Sequence, residues 1–393
     1  MADNDQDDRV PPGRREREPA LATDLLAKDD VATLRDVGRA AGVSRQTVSR
    51  VLNGSPRVSP RTRERVLAAM QELSYRPNSA ARALATGRSH TLGLVSHDPT
   101  LYGPACTQHA IEQAADLAGY LLTIISMRTP DERSLRDAVE RLTLGGVEGV
   151  LVIVSWRRAA QAISKLEAGV PLVAVEAGPA RGVPVVAVDQ RRGAELATGH
   201  LLGVGHRTVH HIAGPEASVE ARLRHDGWRQ TLRDSGAPLT TALRGDWSAR
   251  SGYEAGVQLT ADPAVTAVFV ANDQMALGVL LAMHEAGLRV PEDVSIVGFD
   301  DTPESAYYAP PLTTVRQNFS ELGARALQVL VDAIDGSLDE SRRPALVSPE
   351  LLVRASTAAP AMLEPASVSR PTPAAPGVCS GWRAGVRGSR PEG

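Results

Sequence analysis

Arg45, Gln46 and Arg50 fall within six residues of one another, and Val48, Val51 and Leu52 run through and beyond them at helical spacing. Coiled as a helix, this stretch buries the apolar stripe and turns the three long polar side chains outward. Gln can pair bidentately with adenine, and Arg with guanine O6 and N7, so such a face is suited to reading base edges in a major groove. The charge distribution agrees. Between Leu34 and His90 there are eleven Arg against three acids, a net +8, whereas the whole chain carries −3, which leaves −11 for the remainder. A small basic module on an acidic body is the charge pattern of duplex binding. Arg61, Arg63 and Arg65 read instead as a solvated surface.

The elements that must position this face are short helices. Thr33-Leu-Arg-Asp36 has the form of a capping box, and Leu34, Val37 and Ala41 share one face of the helix it opens. Gly42 can take the left-handed turn that ends it, and Ser44 can cap the next helix. Ser59-Pro60 starts a third, carrying Val66, Met70 and Leu73. Three short helices with a glycine turn between the first two make a helix-turn-helix module, assigned to residues 31–77. Residues 1–30 and 359–393 lack an apolar period and are rich in charge, or in Pro, Ala, Gly, Ser and Arg, so both are expected to be disordered.

Beyond residue 90 the pattern changes. Apolar runs (Leu92–Val95, Leu121–Ile125, Val150–Val154, Leu172–Val175, Val209–Ala213, Ala267–Ala271 and Val294–Phe299) alternate with amphipathic stretches such as 107–118, 131–144, 190–203, 220–235, 251–260 and 273–286. This predicts an α/β core of doubly wound parallel sheets, and the segment is long enough for two lobes facing a cleft. The carboxyl ends of such runs are where open α/β sheets bind ligands. The Asp300-Asp301 pair suggests that one of the two caps a helix. Trp228 reads as core, and His210-His211, inside a strand, as structural. Only Cys106 and Cys379 are present, so neither a disulfide framework nor a metal site is expected. No cofactor is expected either. An acidic N-terminus and the lack of a membrane-length apolar run point to the cytoplasm.

The run Ala32–Asn53, with Ser59, Tyr75-Arg-Pro-Asn78 and Ala83-Leu-Ala85, closely resembles the head of the lac repressor family. The resemblance continues through Ser218–Trp228, Gly245-Asp-Trp-Ser248, Val270-Ala-Asn-Asp-Gln-Met-Ala-Leu-Gly278, Val297-Gly-Phe-Asp-Asp-Thr302 and Pro310-Pro-Leu-Thr-Thr314, and covers residues 32–358. It implies two periplasmic-binding-protein-like lobes joined by three crossovers, about 89–188 with 320–347 and 189–319 with 348–358, around a small-molecule sugar. Arg45, Gln46 and Arg50 would then read bases, Thr47, Ser49 and Asn53 would meet phosphates, and Arg57 would join them on the DNA. Residues 78–88 would form a hinge helix or linker that orders on DNA, with Asn78 and Ala81 at the duplex and Leu84 wedged into the minor groove. In the core (89–358), Glu176, Arg224, Asn272 and Asp300 would hold the sugar against Trp247, with His97, Leu101, Ser155, Ser218 and Glu220 nearby. The chain departs from the pattern it resembles at Arg45, where that pattern has Tyr. It departs again at His97, Glu176, Val188 and Glu220, which replace Ser, Asp, Phe and Ser.

The expected function is therefore a dimeric repressor that leaves a palindromic stretch of double-stranded operator DNA when a neutral, galactoside-like sugar binds. A purine-type co-repressed regulator is the alternative within the family. An enzyme is disfavoured: no phosphate-binding Walker loop, His-Glu-x-x-His or Gly-x-Ser-x-Gly is present, and the cleft acids of a glycosidase would not stand beside an Arg and an Asn. An exported sugar-binding transport protein would share the core but not the basic head. Six prolines between Pro360 and Pro391 forbid a heptad helix there, so a homodimer is expected rather than a tetramer.

Overall fold

The computed structural model describes residues 32–52, 55–76, 87–156, 158–178, 180–338 and 345–361. It divides into two units, one ending at Thr86 and the other beginning at Gly87.

In the first unit, α1 (Leu34–Ala40), α2 (Arg45–Leu52) and α3 (Pro60–Glu72) enclose a core of Val37, Ala41, Val48, Val51, Val66 and Ala69. The capping box forms: the Thr33 N–H donates to Asp36 Oδ2 at 3.0 Å, and the Asp36 N–H donates to Thr33 Oγ1 at 3.4 Å. Gly42 adopts φ +62°, and Ser44 Oγ accepts the Thr47 N–H at 3.1 Å. Two arginines assigned to the solvated surface do more than that. Arg63 donates to the Val51 carbonyl at 3.4 Å and the Ser55 carbonyl at 3.0 Å, and Arg65 donates to the Ala41 carbonyl. Each thus takes up a carbonyl that the end of a helix leaves without an intrahelical donor.

The second unit holds two six-stranded sheets. In the first, β1 (Thr91–His97), β2 (Leu121–Met127), β3 (Val150–Ile153), β4 (Leu172–Val175), β5 (Val185–Val188) and β11 (Ala345–Val347) lie in the order β11-β5-β4-β3-β1-β2, all parallel. In the second, β6 (His210–Ala213), β7 (Leu243–Arg244), β8 (Ala267–Val270), β9 (Ser295–Asp300), β10 (Thr313–Arg316) and β12 (Glu350–Leu352) lie in the order β12-β10-β9-β8-β6-β7, with β12 alone antiparallel. Helices cover both faces: α4 (Tyr102–Leu117), α5 (Glu132–Leu144), α6 (Ala159–Ile163) and α11 (Phe319–Ile334) on the first sheet, and α7 (Gln190–Gly203), α8 (Val219–Asp234), α9 (Ala249–Thr260) and α10 (Asp273–Glu285) on the second. Central strands such as β3 and β8 are therefore buried residue by residue, which is why they read as unbroken apolar runs rather than alternating ones.

The chain passes between the sheets three times, after β5, after β10 and after β11. Strands β5, β7, β10, β11 and β12 are absent from the runs read off the sequence. β5 begins ten residues after β4 ends, with no helix between them, and the others are two to four residues long. Trp228 is core, 1% exposed, with its indole N–H donating to the Val209 carbonyl at 2.9 Å. Replacing it by Ala should destabilise the second unit by about 3–5 kcal/mol in denaturant unfolding followed by near-ultraviolet circular dichroism. A loss below about 1 kcal/mol would show that the site collapses without cost.

Candidate ligand cleft and nucleic-acid face

A cavity of about 360 Å³ lies where the carboxyl ends of the two sheets face each other. Leu101 and Tyr102 reach it after β1, Ser155 after β3 and Glu176 after β4. From the other sheet come Ser218 and Glu220 after β6, Trp247 after β7, Asn272 after β8, and Asp300 at the end of β9.

Arg224, on α8, is 4% exposed, and its guanidinium organises the cleft. Its Nη1 stands 3.5 Å from Asp300 Oδ1 and donates to the Ala271 carbonyl, while Nε donates to Gln190 Oε1 at 2.8 Å. The guanidinium carbon lies 3.7 Å from the centroid of Phe299 and 5.6 Å from that of Trp247, so one face is sealed by aromatic rings. Gln190 in turn donates to Glu176 Oε2 at 3.2 Å and Gln317 Oε1 at 2.9 Å, and Gln317 donates to Asp300 Oδ1 at 2.7 Å. Glu176, Gln190, Gln317, Asp300 and Arg224 are thus one connected network that spans both sheets. Asn272 caps α10, its Oδ1 accepting the Met275 N–H at 3.0 Å, and its amide donates to the Trp247 carbonyl at 3.1 Å. Ser218 caps α8 and donates to Glu220 Oε2 at 2.7 Å.

Glu176, Trp247 and Asp300 have φ of +57°, +78° and +111°. Such backbone costs on the order of 1–3 kcal/mol per residue and persists only where packing imposes it. Trp247 has the space because Gly214 lacks a side chain: a Cβ there would meet the indole at 2.3 Å.

Burial and the neighbouring Glu220 push Glu176 up to about 8, against hydrogen bonds from the Val188 N–H and Gln190. Burial pushes Asp300 up to about 6, opposed by Arg224 and Gln317. It raises Glu220 and lowers Arg224, which Asp300, Glu220 and Glu176 hold toward its charged form. Asp273, behind the cleft, rises to about 8 through burial and repulsion from Asp300.

Of the effector residues expected from the sequence, Leu101, Glu176, Ser218, Glu220, Arg224, Trp247, Asn272 and Asp300 line this cavity, and His97 does not. The His97 ring sits 3.3 Å from the Met127 carbonyl through Nδ1 and meets Trp156 edge-on at 6.1 Å. Asp301 caps no helix. It is held between Arg316 at 2.8 Å and Arg354, which ties it to the segment after β12. Gln190, Gln317, Tyr102 and Phe319 also line the cavity and were not anticipated. Each glutamine stands two residues beyond the last apolar residue of its strand, β5 or β10, and neither strand is among the runs read off the sequence.

In the first unit, Arg45, Gln46 and Arg50 are exposed on α2, while Val48 and Val51 point into the core. Thr47 and Ser49 are half-buried, and Arg57 is exposed before α3. Asn53, Asn78, Ala81 and Leu84 lie outside the described residues.

Residues 33–78 match the family model for bacterial regulatory proteins of the lacI family, and 198–357 match the periplasmic binding protein-like domain. The lactose operon repressor of Escherichia coli (strain K12) is 36% identical over 330 residues, 84% of this chain and 91% of that protein. The HTH-type transcriptional repressor PurR of Pasteurella multocida is 34% identical over 83% of this chain and 98% of its own. Among solved structures, the lac repressor dimer bound to operator and the anti-inducer ONPF is similar with a TM-score of 0.75 at 36% identity, covering 84% of this chain and 99% of that one. A transcriptional regulator CelR–cellobiose complex gives 0.60 at 34% identity, covering 83% and 99%.

Glu176 binds its proton more tightly in the folded state than in the unfolded chain. Its contribution to stability is therefore present below the ordinary value of 4.5 and is lost as pH rises to about 8. Asp273 acts in the same direction, and the buried His211, pushed down to about 3, weakens the fold only below its ordinary 6.5. From 6.5 to about 8, the melting temperature of the ligand-free protein should fall, and Glu176→Gln should flatten the slope. An unchanged slope in that variant would mean Glu176 keeps its ordinary titration.

Proposed function

Because the chain belongs to the lacI family of bacterial regulatory proteins, as a DNA-binding transcriptional repressor, we propose that a sugar entering the cleft releases it from its operator. The observation that carries this reading is the Arg224–Asp300–Asn272 set opposite the Trp247 ring. A guanidinium, a carboxylate and an amide together donate to and accept from hydroxyls, and an aromatic plane covers the C–H face of a pyranose. A hexose or hexoside of the galactoside kind fits a cavity of about 360 Å³. The protein acts as a cytoplasmic, nucleoid-associated homodimer regulating carbohydrate-utilisation genes, not as an enzyme. Two recognition helices then meet matching half-sites of a near-palindrome. Arg45, Gln46 and Arg50 read bases there, Thr47, Ser49 and Asn53 contact phosphates, and Arg57, Asn78, Ala81 and Leu84 complete the contact.

A sugar acts on DNA affinity only through its different affinity for the free and operator-competent states. Couplings of about 1–3 kcal/mol are typical, so a saturating sugar should weaken operator binding about 5–150-fold, and operator should weaken the sugar equally. Tightening instead of release would favour the co-repressed reading, which the similarity to PurR keeps in view.

Arg50→Ala should cost about 1–3 kcal/mol on the cognate site and much less on random duplex in a titration of labelled DNA. Equal losses on both would place Arg50 on phosphate alone. Arg224→Ala should abolish sugar-dependent release while leaving operator affinity intact, since its carboxylate partners lose their cation. Full induction by the variant would remove Arg224 from the sugar site.

A further inference from the structure

The cleft is short of positive charge. Among the described residues that line it, Arg224 is the one cation, whereas Glu176, Glu220, Asp246 and Asp300 are carboxylates. Arg224 is committed to Asp300, the Ala271 carbonyl and Gln190. Glu176 and Glu220 receive hydrogen bonds only from neutral groups. Glu176 takes the Val188 N–H at 2.9 Å and the Gln190 amide at 3.2 Å, and Glu220 takes the Ser218 hydroxyl at 2.7 Å and is also hydrogen-bonded by the Ser155 side chain. Two ionised carboxylates provide about eight lone-pair sites, so these few bonds leave acceptor capacity on both. They come from opposite sheets, Glu176 after β4 and Glu220 in the first turn of α8, and so border the cavity from its two sides.

We propose that the sugar this cleft selects carries a protonated primary amine, received between Glu176 and Glu220, while Arg224, Asn272 and Trp247 hold the rest of the ring. The inference rests on the sugar reading above and departs from the neutral hexose expected from the sequence. A hydroxyl offers one donor and no charge, so a neutral sugar leaves Arg224 as the one cation among Glu176, Glu220 and Asp300. An ammonium offers three donors and a full positive charge, and it satisfies both Glu176 and Glu220. Glu220 is the decisive residue, because it brings a second carboxylate to the cavity from the sheet opposite Glu176. The upward displacement of both carboxyls by burial, with Glu176 at about 8, fits an empty cleft that sheds this repulsion by holding a proton. An arriving ammonium displaces that proton to solvent.

The test is calorimetric titration of the intact protein near neutral pH with matched pairs: galactosamine against galactose, glucosamine against glucose, mannosamine against mannose, and each amine against its N-acetyl form. At least one free amine should bind about tenfold or more tightly than both its hydroxyl and N-acetyl counterparts. Its binding heat should change with the ionisation enthalpy of the buffer, as proton release requires. Glu220→Gln and Glu220→Ser, with melting curves confirming the fold, should erase the preference of the free amine over its hydroxyl parent. Equal or tighter binding of the hydroxyl parents, or a preference that survives both Glu220 variants, overturns the inference and leaves the sugar reading standing. If no sugar of either kind binds, the sugar reading falls and this inference with it.

Discussion

The buried contact between Arg224 and Asp300 is the constraint around which the rest of the cleft is arranged. Both side chains are about 5% exposed, and a lone buried ion of either sign costs several kcal/mol in desolvation. Their mutual attraction alone does not cover that. What makes the pair tenable is the surrounding set of donors and acceptors: Gln317 on Asp300, Gln190 and the Ala271 carbonyl on Arg224, and Phe299 stacked beneath the guanidinium. Remove one member and an unpaired group is left in a dry site, which is costlier than an apolar replacement of both. The network also crosses the gap between sheets, because Gln190 touches Glu176 on one side and Gln317 on the other. Any change in the spacing of the two lobes must therefore rearrange it.

Strain follows the same logic. Glu176, Asp300 and Asp301 all leave their strands with positive φ, which re-aims the side chain at the strand's end. Asp301 is fixed by Arg316 and Arg354, and that clamp holds the turn from the far side while Asp300 faces the cavity. Two adjacent aspartates thus take different tasks, one facing the cavity and one locking the backbone that presents it.

Much of this was legible in the sequence because parallel strands buried on both faces read as apolar runs, and a polar residue directly after such a run marks the ligand-facing end of a sheet. The resemblance points to Glu176, Asn272 and Asp300, and their places fit that rule. His97, expected near the sugar from the resemblance and not from that rule, does not line the cavity. Its strand pairs with β2 in register up to Met127, and the ring turns to that strand's last carbonyl and to Trp156 rather than into the cavity. Gln190 and Gln317 were not legible. They are 127 residues apart, and only the return of the chain through its crossovers sets one amide against the other. Arg63 and Arg65 looked like solubilising charge because sequence gives no sign that a distant carbonyl at a helix end needs a donor.

A repressor whose reading head and core are separate units needs its core to hold firmly the chain that enters it. The second unit has such an attachment at its first residues. Arg88 bonds Glu148 at 2.6 Å, Asp335 at 3.0 Å and the Tyr120 hydroxyl at 3.0 Å, and the His90 N–H donates to the other Glu148 oxygen at 2.6 Å. Glu148 precedes β3, Tyr120 precedes β2, and Asp335 ends α11, the helix that follows the second crossover. One guanidinium therefore ties the entering backbone to a strand edge and to the helix carried by a crossover. Helix α11 and strand β3 belong to the same lobe, so these bonds fix the entering backbone to that lobe. The same crossovers that assemble the ligand network at one end of the sheets thus set the anchor at the other.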